Sequence, residues 1–305
     1  MKIAFTSAGA PRHGRNLQSQ VQRLSDRAGY GWETEFWEWQ KDGYESYDLA
    51  RIDWLWNVGN FGNFFQWLEQ VNPRPRTISH WIGTDLLQHL DIVRKGIPDP
   101  FAVAMIHIAD APNLVSEAAE LTGLDVGYFR SIPPETYSPT PIERWDRILC
   151  YIPQGREDFF RWDIIRDLSR SYPDLGFMVL GRTEQLADAP ANVSILPEIS
   201  GDAKFGELVS CFAYLRPCQH DGIGLTLIEM AQLGRYIFHS DTRIPHILPI
   251  RSAGEAEFHL DRILERKQPP SPEAGKYYAR EYSESALADD LDRLRKRMEG
   301  HVRVS

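Results

Sequence analysis

The sequence predicts an α/β fold with two domains, each built on a mostly parallel sheet, that face a common cleft. One observation is that apolar strand-like segments alternate with amphipathic helical segments along most of the 305 residues. This order is typical of a parallel sheet covered by helices on both faces. The other is that the alternation stops at segment 132–141, which contains four prolines, and then restarts. Proline cannot extend a helix or a central strand, so this segment is the predicted interdomain linker.

The first half begins with the apolar segment 2–7, which predicts a buried strand. Leu17, Val21 and Leu24 then share one helix face over 16–28, and Gly29 suits the end of that helix. Further strands of this half are predicted at 34–39, 52–57, 76–81, 101–108 and 125–130. Its further helices are predicted at 61–71, 85–94 and 112–122.

The second half repeats the same order of elements. Its strands are predicted at 147–152, 176–180, 192–196, 212–216 and 235–239. Its helices are predicted at 157–171, 202–210, 223–233, 255–266 and 271–298. We therefore predict Rossmann-like domains over 1–140 and 141–270. Since ligands of such sheets bind beyond the carboxyl ends of the strands, the binding site is expected in the cleft between the domains.

Composition excludes some classes of function. The net charge of −9 disfavours unselective binding of nucleic acid, which needs a basic surface. The three cysteines form no C-x-x-C pair, so reduced thiols are expected rather than a disulfide framework or a zinc site. The start of the chain is not a signal peptide, and no apolar run approaches the ~18 residues of a membrane span. A cytoplasmic protein is expected, with at most peripheral contact at the inner membrane face.

Two further features concern aromatic and acidic residues. Seven of the nine tryptophans lie in the first 81 residues, where they form either a large aromatic core or, in part, a ligand-binding groove. The D-x-D sequence Asp290-Leu291-Asp292 lies inside the predicted helix 271–298. We expect it on a solvated helix face rather than at a metal, so no metal site is predicted. No cofactor is predicted either. A basic run over 293–297 follows and is expected to be solvated, although it could meet a membrane or an anionic acceptor.

The segment LRPCQHDGIGLTLIEMAQLG, residues 215–234, carries the predicted chemistry. A strand ends at Arg216, and a helix begins after Asp221-Gly222-Ile223-Gly224. The two glycines permit close backbone approach and positive φ, and a helix N-terminus suits a diphosphate. Asp221 and Glu229 bring two carboxylates to this turn, and carboxylates accept charge-assisted hydrogen bonds from sugar hydroxyls.

This segment resembles the E-x7-E signature of retaining GT-B glycosyltransferases of the large family-four (group 1) type. Segments 177–181, 192–200, 207–217 and 81–85 resemble further parts of that family in the same order, and the resemblance is best over about 145–245. It implies a GT-B fold in which the terminal segment 271–305 packs back on the first domain. It also implies that Asp221 contacts the donor sugar and that Glu229 binds the nucleotide ribose. The family has glutamate at the first position, so Asp221 is one methylene shorter.

Basic residues near the predicted phosphate position depart from the family pattern. The family usually supplies an arginine and a lysine after the first strand of the second domain, whereas here only Arg156 is in reach. Arg182, directly after Gly181, and Arg216 are further candidates, since a guanidinium binds phosphate bidentately. Each could instead be a solvated arginine. His220 could bond a sugar hydroxyl or only cap the turn.

The first domain contributes a second set of candidates. Gly9, Arg12, His13 and Gly14 resemble the family's glycine-containing loop that meets donor phosphates and acceptor, or they form a plain turn. His80 precedes the segment that resembles the acceptor domain, where the family often has a histidine that contacts the donor sugar or assists proton transfer. Otherwise it is a core or surface histidine. The candidate catalytic residues are therefore Asp221, Arg156 and His80. The candidate donor-binding residues are Gly181, Arg182, Arg216, His220, Gly222, Ile223, Gly224, Leu225 and Glu229.

The resemblance implies metal-independent transfer, with retention, of a sugar from a nucleotide-diphosphate sugar. The acceptor would be a carbohydrate, a lipid-linked group or a small molecule. Two alternatives stay open: a nucleotide-sugar isomerase or hydrolase of the same fold, and a non-catalytic relative that binds nucleotide sugar or glycan. The sequence does not identify the sugar, the base, the acceptor or the oligomeric state.

Overall fold

The computed structural model describes residues 1–7, 11–38, 47–59, 64–94, 104–133 and 135–302. The chain divides into two compact units. Unit 1 comprises Met1–Pro134 and Glu284–Ser305, and unit 2 comprises Glu135–Ser283. The boundary between them falls inside the predicted proline-rich linker. The relative placement of the two sheets around a cleft stays a prediction.

Unit 1 contains a six-stranded parallel sheet in the order β2-β1-β3-β4-β5-β6. Its strands are β1 (Lys2–Thr6), β2 (Glu33–Trp37), β3 (Trp54–Val58), β4 (Thr77–Trp81), β5 (Ile106–Ala109) and β6 (Val126–Tyr128). Its helices are α1 (Pro11–Ala28), α2 (Phe64–Gln70), α3 (Thr84–Arg94), α4 (Pro112–Thr122) and α10 (Glu284–Val302), with a short 3-10 helix at Leu49–Arg51. Helix α1 begins five residues before its predicted start.

The tryptophans of unit 1 form an aromatic core, as one of the two sequence interpretations predicted. Trp54, Trp56 and Trp81 are fully buried, and Trp32 and Trp37 are nearly so. The ring of Trp56 stacks on Phe5 with centroids 4.6 Å apart. Trp39 lies outside the described residues. For these five rings the core interpretation is confirmed, because each is shielded from solvent inside unit 1.

Unit 2 contains a second six-stranded parallel sheet, in the order β12-β11-β10-β7-β8-β9. Its strands are β7 (Arg147–Tyr151), β8 (Gly176–Leu180), β9 (Val193–Leu196), β10 (Ala213–Arg216), β11 (Tyr236–His239) and β12 (Leu248–Pro249). Its helices are α5 (Trp162–Ser171), α6 (Gly201–Ser210), α7 (Leu225–Gln232), α8 (Ala253–Arg266) and α9 (Pro272–Glu281). Helix α5 begins later than predicted because Arg161 has a left-handed conformation, with φ of 51°.

The predicted terminal segment 271–305 is divided between the two units. Helix α9 ends at Tyr282, where φ is −110° and ψ is 39°. It packs on α7 of unit 2, where a Cβ on Gly275 would lie 3.1 Å from the carbonyl oxygen of Ala231. The Tyr278 hydroxyl also donates to the carbonyl of Pro245 over 2.8 Å. Only the part from Glu284 onward, helix α10, belongs to unit 1.

The structure corrects the expectation that the D-x-D sequence is solvated. Asp290 is 1 % exposed, and its carboxylate accepts hydrogen bonds from the Arg130 backbone N–H and lies 2.7 Å from Arg130 Nε. Burial raises the pKa of Asp290, although the charge of Arg130 opposes that shift. Asp292 instead pairs with Arg295 and Lys296 on the surface. Asp290 therefore attaches α10 to the segment after β6.

The basic run over 293–297 is also paired within the chain. Arg293 pairs with Asp290, Arg295 with Glu299 and Asp292, Lys296 with Asp292, and Arg297 with Asp125 at 3.0 Å. Each of these charges already has an acidic neighbour, which weakens the interpretation of this run as a membrane-binding patch. In the part of the chain that the structure describes, no helix combines the length and the apolar character needed to cross a membrane.

Candidate functional site

The candidate site lies at the carboxyl ends of the strands of unit 2. Arg216 is the last residue of β10 and His239 is the last residue of β11, and the two residues are register partners. The loop 217–224 leads from β10 into α7, for which Gly224 is the N-cap. The parallel strands therefore bring both residues and the N-terminus of a helix to one edge of the sheet, where such folds bind ligands.

A buried ion pair occupies the centre of this edge. Arg216 Nε donates to Asp221 Oδ2, and both residues are 8 % exposed. Arg216 Nη1 donates to the Tyr214 hydroxyl over 3.1 Å, and the guanidinium lies 5.2 Å and 5.0 Å from the ring centroids of Tyr151 and Phe160. These contacts hold the guanidinium in a single orientation.

The electrostatics of the pair follow from burial and from mutual attraction. Burial alone would raise the pKa of Asp221, but the Arg216 charge and the hydrogen bonds from His239 and Arg216 outweigh it, so this pKa lies well below its usual range. Burial alone would lower the pKa of Arg216, but the Asp221 charge outweighs it and the pKa is raised. Both groups therefore stay charged at neutral pH.

Arg216 also lies beside the start of α7. A Cβ on Gly224 would lie 3.4 Å from Arg216 Cζ and 3.6 Å from its Nη2. Gly224 has φ of −66°, and Gly222 is not among the residues with positive φ. Neither glycine uses the positive φ that it permits, and Gly224 serves by its small size. The result is a guanidinium next to the N–H groups that a helix leaves unpaired at its N-terminus.

Cys218, Asp221 and His239 form the one group of potential metal ligands found among the described residues. Cys218 Sγ lies 3.8 Å from Asp221 Oδ2 and 3.9 Å from His239 Nε2, and the latter two atoms are 3.8 Å apart. However, His239 Nδ1 accepts a hydrogen bond from the Asp241 backbone N–H at 2.9 Å. A neutral imidazole must then carry its proton on Nε2, which leaves no lone pair there for a metal.

The other two members of this group also favour a hydrogen-bond network. Arg216 already donates to the same Asp221 oxygen that a cation would need. Burial raises the pKa of the Cys218 thiol to about 12, so the thiol stays protonated. The residues of this group thus fit the orientation of Asp221 better than they fit metal binding. That the protein needs neither metal nor cofactor stays a prediction.

Glu229 lies in the second turn of α7 and is 1 % exposed. Its Oε2 is 2.5 Å from Nζ of Lys204, which lies in the first turns of α6. Lys204 was not predicted from the sequence, because nothing in the local spacing shows that α6 and α7 place these side chains together. His239 was not predicted either, although the position of that residue at the end of a strand was a usable signal.

The remaining candidates of unit 2 lie on neighbouring loops. Arg182 is nearly buried, and its Nη1 is 2.7 Å from Glu157 Oε1, so it joins the loops after β7 and β8. Arg156 is half-buried, with its guanidinium 4.7 Å from the Phe159 ring centroid. The contacts described for these arginines are with residues of these two loops, and their role in donor binding stays a prediction.

Four other residues of the predicted donor set lie close to the strand ends. Gly181 follows β8 with φ of 102°, and a Cβ there would lie 2.8 Å from the Tyr151 ring. His220 is half-buried in the loop before α7, Ile223 is buried, and Leu225 is the first residue of α7. All four therefore lie where the predicted donor site requires them. Their contact with a ligand stays a prediction.

In unit 1, two candidate histidines lie near each other. His13 Nε2 is 2.9 Å from the Ser131 hydroxyl oxygen, and burial lowers the pKa of His13 to about 4. His80 on β4 is fully buried near Phe129, and burial, with the His13 charge, lowers its pKa to about 3. Both imidazoles are therefore neutral at physiological pH. A fully buried ring contributes packing here, and a catalytic role for His80 stays a prediction.

The other candidates of the predicted N-terminal loop differ in position. Gly14 lies inside α1, where a Cβ would lie 2.8 Å from the Phe36 ring, so this glycine is required for packing of the helix on the sheet. Arg12 is exposed in the first turn of the same helix. Gly9 lies outside the described residues. The structure thus gives Gly14 a packing role and leaves the phosphate role of the loop as a prediction.

Comparison with known proteins places the fold. No protein-family model and no curated protein sequence matches the chain. Among solved structures, it is similar to a sucrose-phosphate synthase from Thermosynechococcus elongatus, with a TM-score of 0.68, 12 % identity, and coverage of 99 % of this chain and 100 % of that one. It is also similar to the lipopolysaccharide outer core galactosyltransferase WaaB, with a TM-score of 0.58, 14 % identity, and coverage of 96 % and 98 %.

A third similar structure, from Listeria monocytogenes, is provisionally named a UDP-N-acetylglucosamine 2-epimerase. Its TM-score is 0.54 at 10 % identity, with coverage of 100 % of this chain and 97 % of that one. The chain therefore has the GT-B fold, with two α/β units that each contain a parallel sheet. Its overall length is like that of these proteins. The predicted fold class is confirmed. Because the three names include a synthase, a galactosyltransferase and an epimerase, the fold alone does not select the reaction.

Proposed function

We propose that the protein is a glycosyltransferase that moves a sugar from a nucleotide-diphosphate sugar to an acceptor, with retention and without a metal ion. The observation that carries this proposal is the buried Arg216–Asp221 pair beside the N-terminus of α7. A fixed cation next to free helix N–H groups is a site for an anion, and a diphosphate suits both its charge and its size.

Each residue of the site then has a distinct role. Arg216 and the first N–H groups of α7 bind the diphosphate and stabilise the charge that develops as it leaves. Glu229 accepts hydrogen bonds from the ribose. Asp221 Oδ2 orients Arg216 and also faces His239, so a sugar hydroxyl would reach this carboxylate through Oδ1. The Asp221 carboxylate thereby holds the Arg216 guanidinium and orients the donor sugar.

Three further properties belong to the same proposal. A divalent cation is not required, since Arg216 already supplies positive charge where the leaving group would develop negative charge. Retention rests on the resemblance of the 221–229 segment to retaining enzymes. The names of the synthase and the galactosyltransferase of similar fold support transfer of a hexose to a carbohydrate, a small-molecule or a lipid-linked acceptor. We place the reaction on the cytoplasmic side of a membrane or in the cytoplasm.

Donor binding is tested by thermal unfolding with a panel of UDP-, GDP- and ADP-sugars. A cognate donor at a hundredfold excess over its Kd should stabilise the wild type by about 2.7 kcal/mol. Arg216→Met and Glu229→Gln should each lose most of that stabilisation, whereas Arg251→Met, which removes an exposed arginine of unit 2, should keep it. If none of these nucleotide sugars stabilises the wild type, the proposal fails.

Turnover separates transfer from its alternatives. With the identified donor, a panel of carbohydrate acceptors should yield a glycosylated product in the presence of EDTA. Release of free sugar or of an epimer without any acceptor would instead indicate a hydrolase or an isomerase. Donor binding with neither product would indicate a non-catalytic relative.

A further inference from the structure

We propose that Lys204 is a positioning residue that keeps the Glu229 carboxylate ionised and thereby able to accept hydrogen bonds from the ribose diol of the nucleotide. The inference rests on the proposed function, because it assumes that Glu229 faces a ribose. It adds a residue from α6 to a site that the sequence motif confines to the β10–α7 segment.

The contact itself is unusual for a lysine of this domain. Unit 2 contains three lysines, and Lys267 and Lys276 are exposed, whereas the Lys204 side chain is only 18 % exposed. Its ammonium lies 2.5 Å from Oε2 of a carboxylate that is 1 % exposed. Holding a long side chain in one conformation reduces its entropy, so the contact must be favourable enough to offset that loss.

The position of Glu229 relates this ion pair to the nucleotide. Glu229 is four residues after Leu225, the first residue of α7, and therefore about 6 Å along the helix axis. Helical side chains lean towards the N-terminus of their helix, which brings the carboxylate closer to the proposed diphosphate position. A ribose attached to that diphosphate would thus lie within reach of both Glu229 and Lys204.

Lys204 supplies a positive charge that faces Glu229 from α6. Tyr137, in the segment before β7, interacts electrostatically with Glu229, and its ring stacks on Phe205 of α6 with centroids 5.4 Å apart. Burial, a hydrogen bond with Glu135 and the charge of Glu229 all raise the pKa of Tyr137, so it stays neutral. Tyr137 therefore cannot balance the charge of the carboxylate.

The chemistry explains why ionisation matters. An ionised carboxylate is purely an acceptor with two oxygens, and a ribose diol offers two O–H donors. A protonated carboxyl group loses one acceptor site and keeps a proton that competes with the diol. Loss of a counter-charge favours the protonated form of a buried carboxyl group, so loss of Lys204 should shift Glu229 from the ionised acceptor towards the neutral form.

The test uses Lys204→Met in the full-length protein and calorimetric titration with UDP, GDP or ADP, whichever binds the wild type. Affinity of the wild type should be nearly constant between pH 7 and 8.5, a range below that in which the bases of UDP and GDP lose a proton. The variant should bind about tenfold or more weakly at pH 7 and should recover, relative to the wild type, towards pH 8.5, because only the ionised fraction of Glu229 is competent. For the matching 2′-deoxynucleotide, which lacks one hydroxyl of the diol, the difference in affinity between the wild type and Lys204→Met should be smaller.

Three variants make the result specific. Lys204→Arg keeps a positive charge and should restore most of the affinity at pH 7. Lys276→Met removes an exposed lysine and should bind like the wild type. The double variant Lys204→Met with Glu229→Gln has no carboxylate to titrate, so its weak binding should not depend on pH. Circular dichroism and thermal unfolding establish that each variant is folded. If Lys204→Met does not fold, Lys204→Gln, which also lacks the charge but keeps a polar side chain, takes its place in the same titration.

The outcomes separate this inference from the proposed function. If the wild type binds no nucleotide, the proposed function fails. If the wild type binds, but Lys204→Met binds equally or more tightly and without pH dependence, Lys204 is not a positioning residue and this inference alone is overturned.

Discussion

At the scale of single residues, the site is governed by charges that neutralise one another away from water. Arg216 and Asp221 are both about nine-tenths buried, so each needs the other as well as the dipoles around it. Removal of one partner of a buried pair leaves the other uncompensated, and such changes lower stability by about 3–5 kcal/mol. The pair therefore contributes to the fold of unit 2 as well as to the proposed chemistry.

Asp221→Asn tests this directly. At pH 7 the free energy of unfolding measured in urea should fall by about 3 kcal/mol or more, because Arg216 keeps its charge without a carboxylate. The folded-state pKa of Asp221 is lowered, so its contribution is complete above the ordinary value of about 3.9 and is lost as the pH falls through the folded-state pKa. The deficit of the variant should thus be constant from pH 5 to 8 and should shrink below pH 4. An equal deficit at pH 2.5 and pH 7 would contradict this account.

Gly181 provides a second prediction at this scale. Gly181→Ala would force a side chain into a conformation with φ of 102° and bring its Cβ to 2.8 Å from the Tyr151 ring, so the variant should lose about 1–3 kcal/mol of stability. The matched control is Gly206→Ala, which adds a Cβ to α6 with no atom within 4 Å and should raise stability by up to about 1 kcal/mol. Chemical denaturation measures both, and similar effects of the two changes would be inconsistent with the structure.

Some of these residues could be predicted from the sequence and some could not. Asp221 and Glu229 were recognisable because both belong to one continuous segment whose spacing resembles a family signature. Lys204 was not, because its importance depends on an ion pair between two helices that are separated in sequence. The burial of His80 was equally hidden, since a histidine in a predicted strand can face either the core or a ligand.

At the scale of elements, apolar runs bounded by turn residues predicted the strands well, because strands buried on both faces are continuously apolar. Besides the late start of α5, three element features stand out among those that were missed. Strand β12 consists of only Leu248–Pro249, which is too short to leave a pattern. Helix α1 begins at Pro11, before its apolar periodicity starts. The predicted helix 271–298 is interrupted, because α9 packs on α7 of unit 2 whereas α10 packs on unit 1.

Helix α10 illustrates how one buried charge can attach an element. Asp290→Ala removes a carboxylate that is fully buried against Arg130, and the variant should lose about 3–5 kcal/mol of stability. The adjacent Asp289 is exposed, so Asp289→Ala is the matched control and should change stability by less than about 0.5 kcal/mol. Thermal unfolding of the two variants side by side measures the difference. If both variants behave like the wild type, the Arg130–Asp290 contact does not anchor α10.

At the scale of the whole molecule, the chain is not a simple succession of two domains. Unit 2 is one continuous segment, whereas unit 1 combines the first part of the chain with its last helix. The sequence predicted the proline-rich boundary because composition changes there. The split of the terminal segment at Ser283 has no comparable signal, since residues on both sides of it are helical and amphipathic. Only their different packing partners show that α9 belongs to unit 2 and α10 to unit 1.

This arrangement predicts that removal of residues 284–305 affects the two units unequally. Leu287, Leu291, Leu294 and Met298 are almost completely buried in the full chain, so the deletion would expose the apolar surface that they cover on unit 1. Each such side chain contributes roughly 1.5–3 kcal/mol when buried, and their joint loss approaches the whole stability of a small domain. Hydrogen exchange measured by mass spectrometry should therefore show loss of protection in peptides that contain β1, β3 and β4, while peptides that contain β7, β8 and β10 keep theirs. Equal protection of β1, β3 and β4 with and without α10 would show that unit 1 does not depend on its returning helix.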